Sequence, residues 1–368
     1  MKRIAILIAV VLACTAVISC SKSPEEAPEE NSAGEETVAP ADEAPAPEAL
    51  VETASDSLNP LTGYCDMAGD NAGMRPFAVC VIDYRYAREQ SGLSKADIIL
   101  EALSEQGRTQ LVGLFSDIRG AGVIGPLDHT YNTLVKAVMG LNPVIVHYGR
   151  PADYPNDLIE LNSIPTLDGE TDESVAYVDE DRHEEYLAEY SLYTDNDRVC
   201  AAAKGVYDQP AGETAAVFNF VASDAPEYVP SAGAAANVTA TFSGIYDIDL
   251  RYDETSGKYL KYQFFFPHAD EAASKEPLAF DNAFVLFTRY DSFRDLSGVR
   301  GRLVEADYSS GGKGYYFTGG CYERISWKMG AVFFELFSSD GSPLPVNAGK
   351  SYIAVMDELN EYTLGMEG

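Results

Sequence analysis

The sequence predicts an α/β (α+β) protein, a mixed α/β layer domain followed by a β-rich domain, and three observations carry that expectation. Between residues 75 and 148, short apolar runs rich in Val and Ile are bounded by Gly and Pro, as buried strands are. One amphipathic stretch with helical spacing lies among them. From residue 238 onward, brief apolar or alternating runs recur between turn-forming residues without a further helical pattern, which reads as mostly β.

The chain begins with an address. Lys2 and Arg3 precede an apolar run from Ile4 to Ile18 that is short for a membrane span and has the layout of an export signal. It ends in Val17-Ile18-Ser19-Cys20, a lipobox-like sequence that makes Cys20 the expected lipidation site and residues 1–19 a lipoprotein signal peptide. Val11-Leu12-Ala13-Cys14 is a second candidate with a cramped apolar segment, and a soluble-export signal with an incidental cysteine is the alternative, against which the tether that follows argues. Residues 20–58 are rich in Glu, Ala and Pro and lack aromatic residues, so they cannot bury enough apolar surface to offset ordering entropy. They read as an acidic, extended tether. The expected location is extracytoplasmic, anchored to the membrane through the lipid on Cys20.

Residues 59–205 form the expected α/β domain. Arg75–Asp83 (RPFAVCVID) reads as a buried strand. Asp97–Ser104 and Thr109–Phe115 flank Glu105-Gln106-Gly107-Arg108 and suggest a hairpin, with a helix as the alternative for the first run. After Gly125-Pro126, Asp128 is placed to cap a helix running to Met139, with Tyr131, Leu134, Val135 and Val138 on one face. Pro143–Tyr148 is the next strand. A shift to Ala, Gly and Pro after Cys200 marks a connection, and residues 206–368 form the β-rich domain.

Charge excludes some functions. The chain has 58 Asp plus Glu against 26 Lys plus Arg, a formal net charge of −32. A nucleic-acid partner is excluded on that balance, and an anionic membrane surface is disfavoured as an electrostatic partner. Beyond Cys14 and Cys20, Cys65, Cys80, Cys200 and Cys321 remain, with no CxxC pair; isolated thiols or one disulfide are expected, and a structural zinc site is not. His183-Glu184-Glu185 lacks the second histidine of a zincin, and Gly349-Lys350-Ser351 lacks the first glycine of a phosphate loop. No metal site and no cofactor are expected.

Several segments together carry a family resemblance: Asn59-Pro60-Leu61-Thr62-Gly63, Ala87-Arg88-x-Gln90-Ser91-Gly92-Leu93-Ser94-x-Ala96-Asp97-Ile98, Ile124-Gly125-Pro126, Val146-His147-x-Gly149 and, later, Gly312-Lys313-Gly314-Tyr315-Tyr316-Phe317-Thr318 with Ile325-x-Trp327-Lys328. Over about residues 59–357 the chain resembles the YerB-like bacterial lipoproteins, a family without an established reaction. The resemblance implies an exported α/β domain joined to a β-rich one. It also draws attention to Gln90 and Asp97, and to Gln110, Asp128 and Tyr131, which stand where relatives typically carry arginines. If those arginines hold an anion, this chain lacks the grip.

For chemistry, His147 at the end of an apolar strand supplies, with Asp83 and Glu101, the residue types of an acid/base site. A histidine hydrogen-bonded at a strand terminus is the plainer reading. Most aromatics of the second half, among them Tyr259, Tyr262, Phe264, Phe265, Phe266, Tyr315, Tyr316, Phe317 and Trp327, belong to core or cross-strand pairs, and an exposed subset would suit glycan stacking or protein contact. The expected function is a binding or scaffold module at the cell surface, with a cell-wall polymer or an envelope protein as partner. A cell-envelope hydrolase or transferase using Asp83, Glu101 and His147 is the alternative.

Overall fold

The computed structural model describes residues 57–368, except 89, 106, 152–156, 205–214, 272–274 and 295–301. The signal segment, Cys20 and the tether up to residue 56 lie outside the described residues.

Strand β1 (Phe77–Ile82) is buried along its middle on both faces, which is why FAVCVI is a continuous apolar run. The predicted hairpin forms from β2 (Ile98–Glu105) and β3 (Arg108–Phe115), and Gly107 adopts φ 76° at its turn. Helix α1 (Asn132–Val138) buries Leu134, Val135 and Val138 as expected. Its start differs from the expected one: Tyr131 holds the N-cap position and Asp128 caps nothing. Residues 126–128 are drawn into the sheet instead, with the Asp128 amide donating to the Cys80 carbonyl at 3.0 Å. Strands β4 (Val144–His147) and β5 (Thr166–Asp168) complete this half's part of the main sheet.

The second half is β-rich. It contributes β6 (Asn237–Ser243), β7 (Tyr246–Asp253), β8 (Lys258–Gln263), β9 (Phe266–Pro267), β10 (Asn282–Thr288), β11 (Gly312–Thr318), β12 (Cys321–Met329) and β13 (Ser351–Asp357), among shorter strands. A mixed sheet runs β12-β11-β10-β13-β2-β3-β1-β4-β5 through both halves. Strand β13 joins them, because it pairs in parallel with β2 (Ile98↔Ser351 to Ala102↔Val355) and with β10 (Asn282↔Ser351 to Thr288↔Asp357).

A second sheet, β9-β8-β7-β6 with Gly365–Glu367, shares an apolar core with one face of the main sheet, where Val79, Val81, Ile99, Leu111 and Val146 cluster with Phe242, Ile248, Leu250 and Tyr259. The opposite face packs Cys80, Leu100, Val112 and Ile145 against α1 and the aromatics Phe218, Phe284, Tyr316, Trp327 and Phe333. Most aromatics of the second half are therefore core. Cys65, Cys80, Cys200 and Cys321 are all free thiols.

Candidate functional site

The strand ends around β1 splay apart. Strand β1 pairs with β3 over its whole length but with β4 only from Phe77 to Val79. Beyond that point residues 126–128 wedge between them: the Ile82 amide donates to the Pro126 carbonyl at 2.9 Å, and the Tyr148 amide to the Asp128 carbonyl at 2.9 Å. A small cleft of about 60 Å³ opens there, walled by Asp83, Glu105, Arg108, Thr109, Asp128, His129, Tyr131, Tyr148 and Glu189 among others. It sits at the carboxyl ends of the parallel pair β1 and β4, where open α/β sheets commonly place ligands. The Arg108 guanidinium stacks over the Tyr84 ring at 4.3 Å.

Asp83 connects this cleft to a buried polar network between the two sheets. Asp83 Oδ2 accepts hydrogen bonds from Gln263 Nε2 at 2.8 Å and from the Thr109 hydroxyl. Glu101 Oε2 lies 3.1 Å from Lys261 Nζ and accepts from the Tyr352 hydroxyl at 2.7 Å. Lys261 Nζ is also 2.9 Å from His268 Nδ1, and His268 Nε2 is 3.1 Å from Gln90 Oε1. The ammonium can only donate, so His268 Nδ1 is the acceptor and Nε2 carries the proton given to Gln90. Burial and the adjacent Lys261 charge hold the pKa of His268 well below the usual histidine range, which keeps the ring neutral. The network thus sets two carboxyls against one ammonium. Burial, and then the charge of Glu101, push the pKa of Asp83 up to about 7, against the opposing pull of Lys261, Thr109 and Gln263.

The other expected residues fall in different places. His147 is fully buried, and strand alternation turns it to the helix-bearing face with Ile145, whereas Glu101 shares the parity of Ile99 and Leu103 on the opposite face. Its Nδ1 is 2.8 Å from the Gly149 carbonyl and 3.8 Å from Asp168 Oδ1, and burial lowers its pKa. The structure brings Asp83 and Glu101 into one network and does not bring His147 to them. Gln110 also faces away from the network and donates to the His129 carbonyl at 2.5 Å, supporting the loop that forms the cleft wall. Asp128 and Tyr131 line the cleft, while the Asp128 carboxylate accepts from the His129 amide at 2.8 Å. Gln90 belongs to the network. Asp97 accepts from the Ser116 amide at 2.6 Å and from Asn59 at 3.3 Å instead.

Lys261, Gln263, His268 and Tyr352 are the site residues that sequence reasoning missed. A signal existed: in KYLKYQ, Lys261 and Gln263 share the inward phase of the buried Tyr259, and polar residues on an inward face mark a buried polar site. Among the described residues no group of three or more His, Cys, Asp and Glu is arranged to hold a metal ion.

Residues 61–207 match the family model described as protein of unknown function (DUF3048), N-terminal domain, and residues 238–353 match its C-terminal domain. The chain belongs to the DUF3048 family. It is 27% identical over 317 residues to the Bacillus subtilis (strain 168) protein named "Putative lipoprotein YerB", covering 85% of this chain and 90% of that one. Its fold is similar to the crystal structure of YerB protein from Bacillus subtilis, with a TM-score of 0.70 and 24% identity, covering 84% of this chain and 99% of the other. The two matched regions meet in one continuous sheet through β2 and β13.

Proposed function

We propose that the chain is a lipid-anchored extracytoplasmic binding module, and that the cleft at the ends of β1 and β4 receives a cationic group of a cell-wall polymer or an envelope protein. The name of the Bacillus subtilis relative supports the anchor, as does the lipobox-like Val17–Cys20. One observation carries the choice of ligand: Asp83, Glu105, Asp128 and Glu189 line the cleft, with Arg108 as the guanidinium among them. Carboxylates accept hydrogen bonds and favour amines and guanidinium groups, and they repel anions. The test is retention of the full chain in detergent on wall polymers and envelope fractions, before and after acetylation of their free amines. Retention should fall on acetylation and in Asp128→Asn. No retention of any wall polymer or envelope protein, or retention indifferent to both changes, overturns the reading. Intact mass of the membrane-extracted protein tests the anchor, and an unlipidated Cys20 refutes it.

A second reading, a hydrolase or transferase, is favoured by Asp83, a carboxyl in the cleft wall with its pKa near 7, where a general acid or base works best. In that reading Glu101 and Lys261 tune Asp83. Turnover of a bound wall polymer that is lost in Asp83→Asn while retention persists would select it over the binding module.

A further inference from the structure

Among the described residues, the most exposed large aromatic side chain is at a hairpin tip. Strands β8 and β9 are joined by a two-residue loop, with Gln263 paired to Phe266 and Phe264-Phe265 between them. Both loop residues have positive φ, 51° and 69°. Such a turn ordinarily takes Asn-Gly, and bulky residues are rare in that backbone region. Phe264 finds a partner in Tyr246, ring to ring at 5.3 Å. Phe265, by contrast, is 96% exposed and Phe266 60%. The neighbouring hairpin tip between β6 and β7 adds Ile245, 58% exposed, and the same concave surface carries Tyr86, Arg85, Arg88 and Asp247. The Arg88 guanidinium lies over the Phe266 ring at 5.2 Å, and that of Arg85 over Tyr86 at 4.6 Å.

We infer that these two hairpin tips form a docking surface for the phospholipid bilayer interface, with Phe265, Phe266 and Ile245 entering the acyl boundary and Arg85 and Arg88 meeting headgroup phosphates. Charge complementarity favours this occupant. Residues 59–368 carry a net charge of −24, yet Arg85 and Arg88 flank the exposed aromatics here beside Asp247, with Arg88 also donating to the Pro267 carbonyl at 2.9 Å and Arg85 to the Tyr86 hydroxyl at 2.7 Å. Aromatic rings beside arginines suit the headgroup level, where the ring is apolar and the cation stays wet. The chain outside the described fold favours it too. Thirty-six residues separate Cys20 from Ser57, a reach of up to about 120 Å when extended. A lipid on Cys20 would therefore hold the domain near a bilayer at high effective concentration, where weak partitioning suffices. The inference does not depend on what the cleft binds.

The test uses the full chain with Cys20→Ser, so that no lipid contributes, sedimented with vesicles of phosphatidylcholine or of equal parts phosphatidylcholine and phosphatidylglycerol. Binding to phosphatidylcholine is expected, and binding to the anionic vesicles should rise with salt, because screening relieves repulsion from the rest of the acidic surface. Phe265→Ser with Phe266→Ser should lower affinity roughly tenfold or more, and Arg85→Gln with Arg88→Gln should lower it less. Phe265→Gly separates docking from folding: it removes the unfavourable φ, so the melting temperature should rise while vesicle affinity falls. Absence of binding to both vesicles overturns the inference, as does binding unchanged in the double Phe variant. So does a concentration-dependent dimer that consumes the patch, seen in sedimentation velocity and abolished by the same variant.

Discussion

Replacing Asp83 by Asn tests whether the network holds this carboxyl as an acid. The introduced amide would keep an oxygen for Thr109 and Gln263 to donate to, so it resembles the protonated side chain and removes only the capacity to ionise. The native pKa lies at about 7 against 3.8 for the ordinary side chain. Because the folded state binds the proton more tightly, this group's stabilisation is complete below pH 3.8 and is lost as pH rises through 7. A shift of that size corresponds to on the order of 4 kcal/mol. Urea unfolding of the full chain followed by circular dichroism at pH 5 and pH 8 reads it directly. At pH 5, where the unfolded carboxyl has already ionised, the variant should be more stable than the parent by about 1.6 kcal/mol, and at pH 8 by up to about 4 kcal/mol. Comparison with the parent at each pH removes the opposite slope from surface carboxyls such as Asp172, Asp253 and Asp340, which lie below the usual range because serine donors stabilise their charge. A variant less stable than the parent at pH 8, or equally weakened at both pH values, would refute the reasoning, since it would mean that Asp83 is ionised and stabilising in the native state.

Three further outcomes follow from the same geometry. Lys261→Met strands the fully buried Glu101 and should cost about 3–5 kcal/mol, whereas adding Glu101→Gln should recover part of that loss in a double-mutant cycle by chemical denaturation. Gly312→Ala would place a Cβ 2.0 Å from the Phe287 carbonyl oxygen and 3.0 Å from the Trp327 indole nitrogen, so a melting curve should show a loss of about 2 kcal/mol or more. Among the thiols of the described residues, exposed Cys65 should react first with a thiol reagent. Cys80, whose pKa is raised by burial and by Asp128, should stay silent until the protein unfolds.

The elements legible in the sequence are those whose signal is local. FAVCVI is a strand buried on both faces and needs no alternation, and Gly107 marks the hairpin because the turn there requires positive φ. Asp83 and Glu101 stand out as carboxyls at the end of, or inside, apolar runs. Parity across strands is not legible. His147 ends an apolar strand just as Asp83 follows one, but which face each occupies depends on strand order and register, and these come from pairings across the sheet. The expected helix start is misplaced for a similar reason. Asp128 has the chemistry of a cap, yet its backbone is claimed by Cys80 and Tyr148, partners 48 and 20 residues away in the chain. Lys261 escapes notice because its counter-charge lies in the other half of the chain, although the alternation of KYLKYQ marks its inward phase.

Asp83 occupies two places at once, and this ties the proposed site to the integrity of the fold. The residue lines the cleft, and through Gln263 and the Glu101 charge its buried carboxyl belongs to the polar layer joining the two sheets. Near pH 7 the proton on Asp83 balances a layer that otherwise holds two carboxylates and one ammonium. A cation entering the cleft would supply the missing positive charge from outside and favour the ionised form, so it must displace that proton. By linkage, binding should release a proton and strengthen as pH rises toward and past 7, and the ligand should restore stability over the pH range in which the free protein loses it. An anion has the opposite effect: it would compete with Asp83, Glu105 and Asp128 for the same space and hold the proton in place. On the proposed reading, the acidity visible in the composition has a local meaning at this cleft, where it would select the sign of the ligand and couple that ligand to the packing of the two sheets.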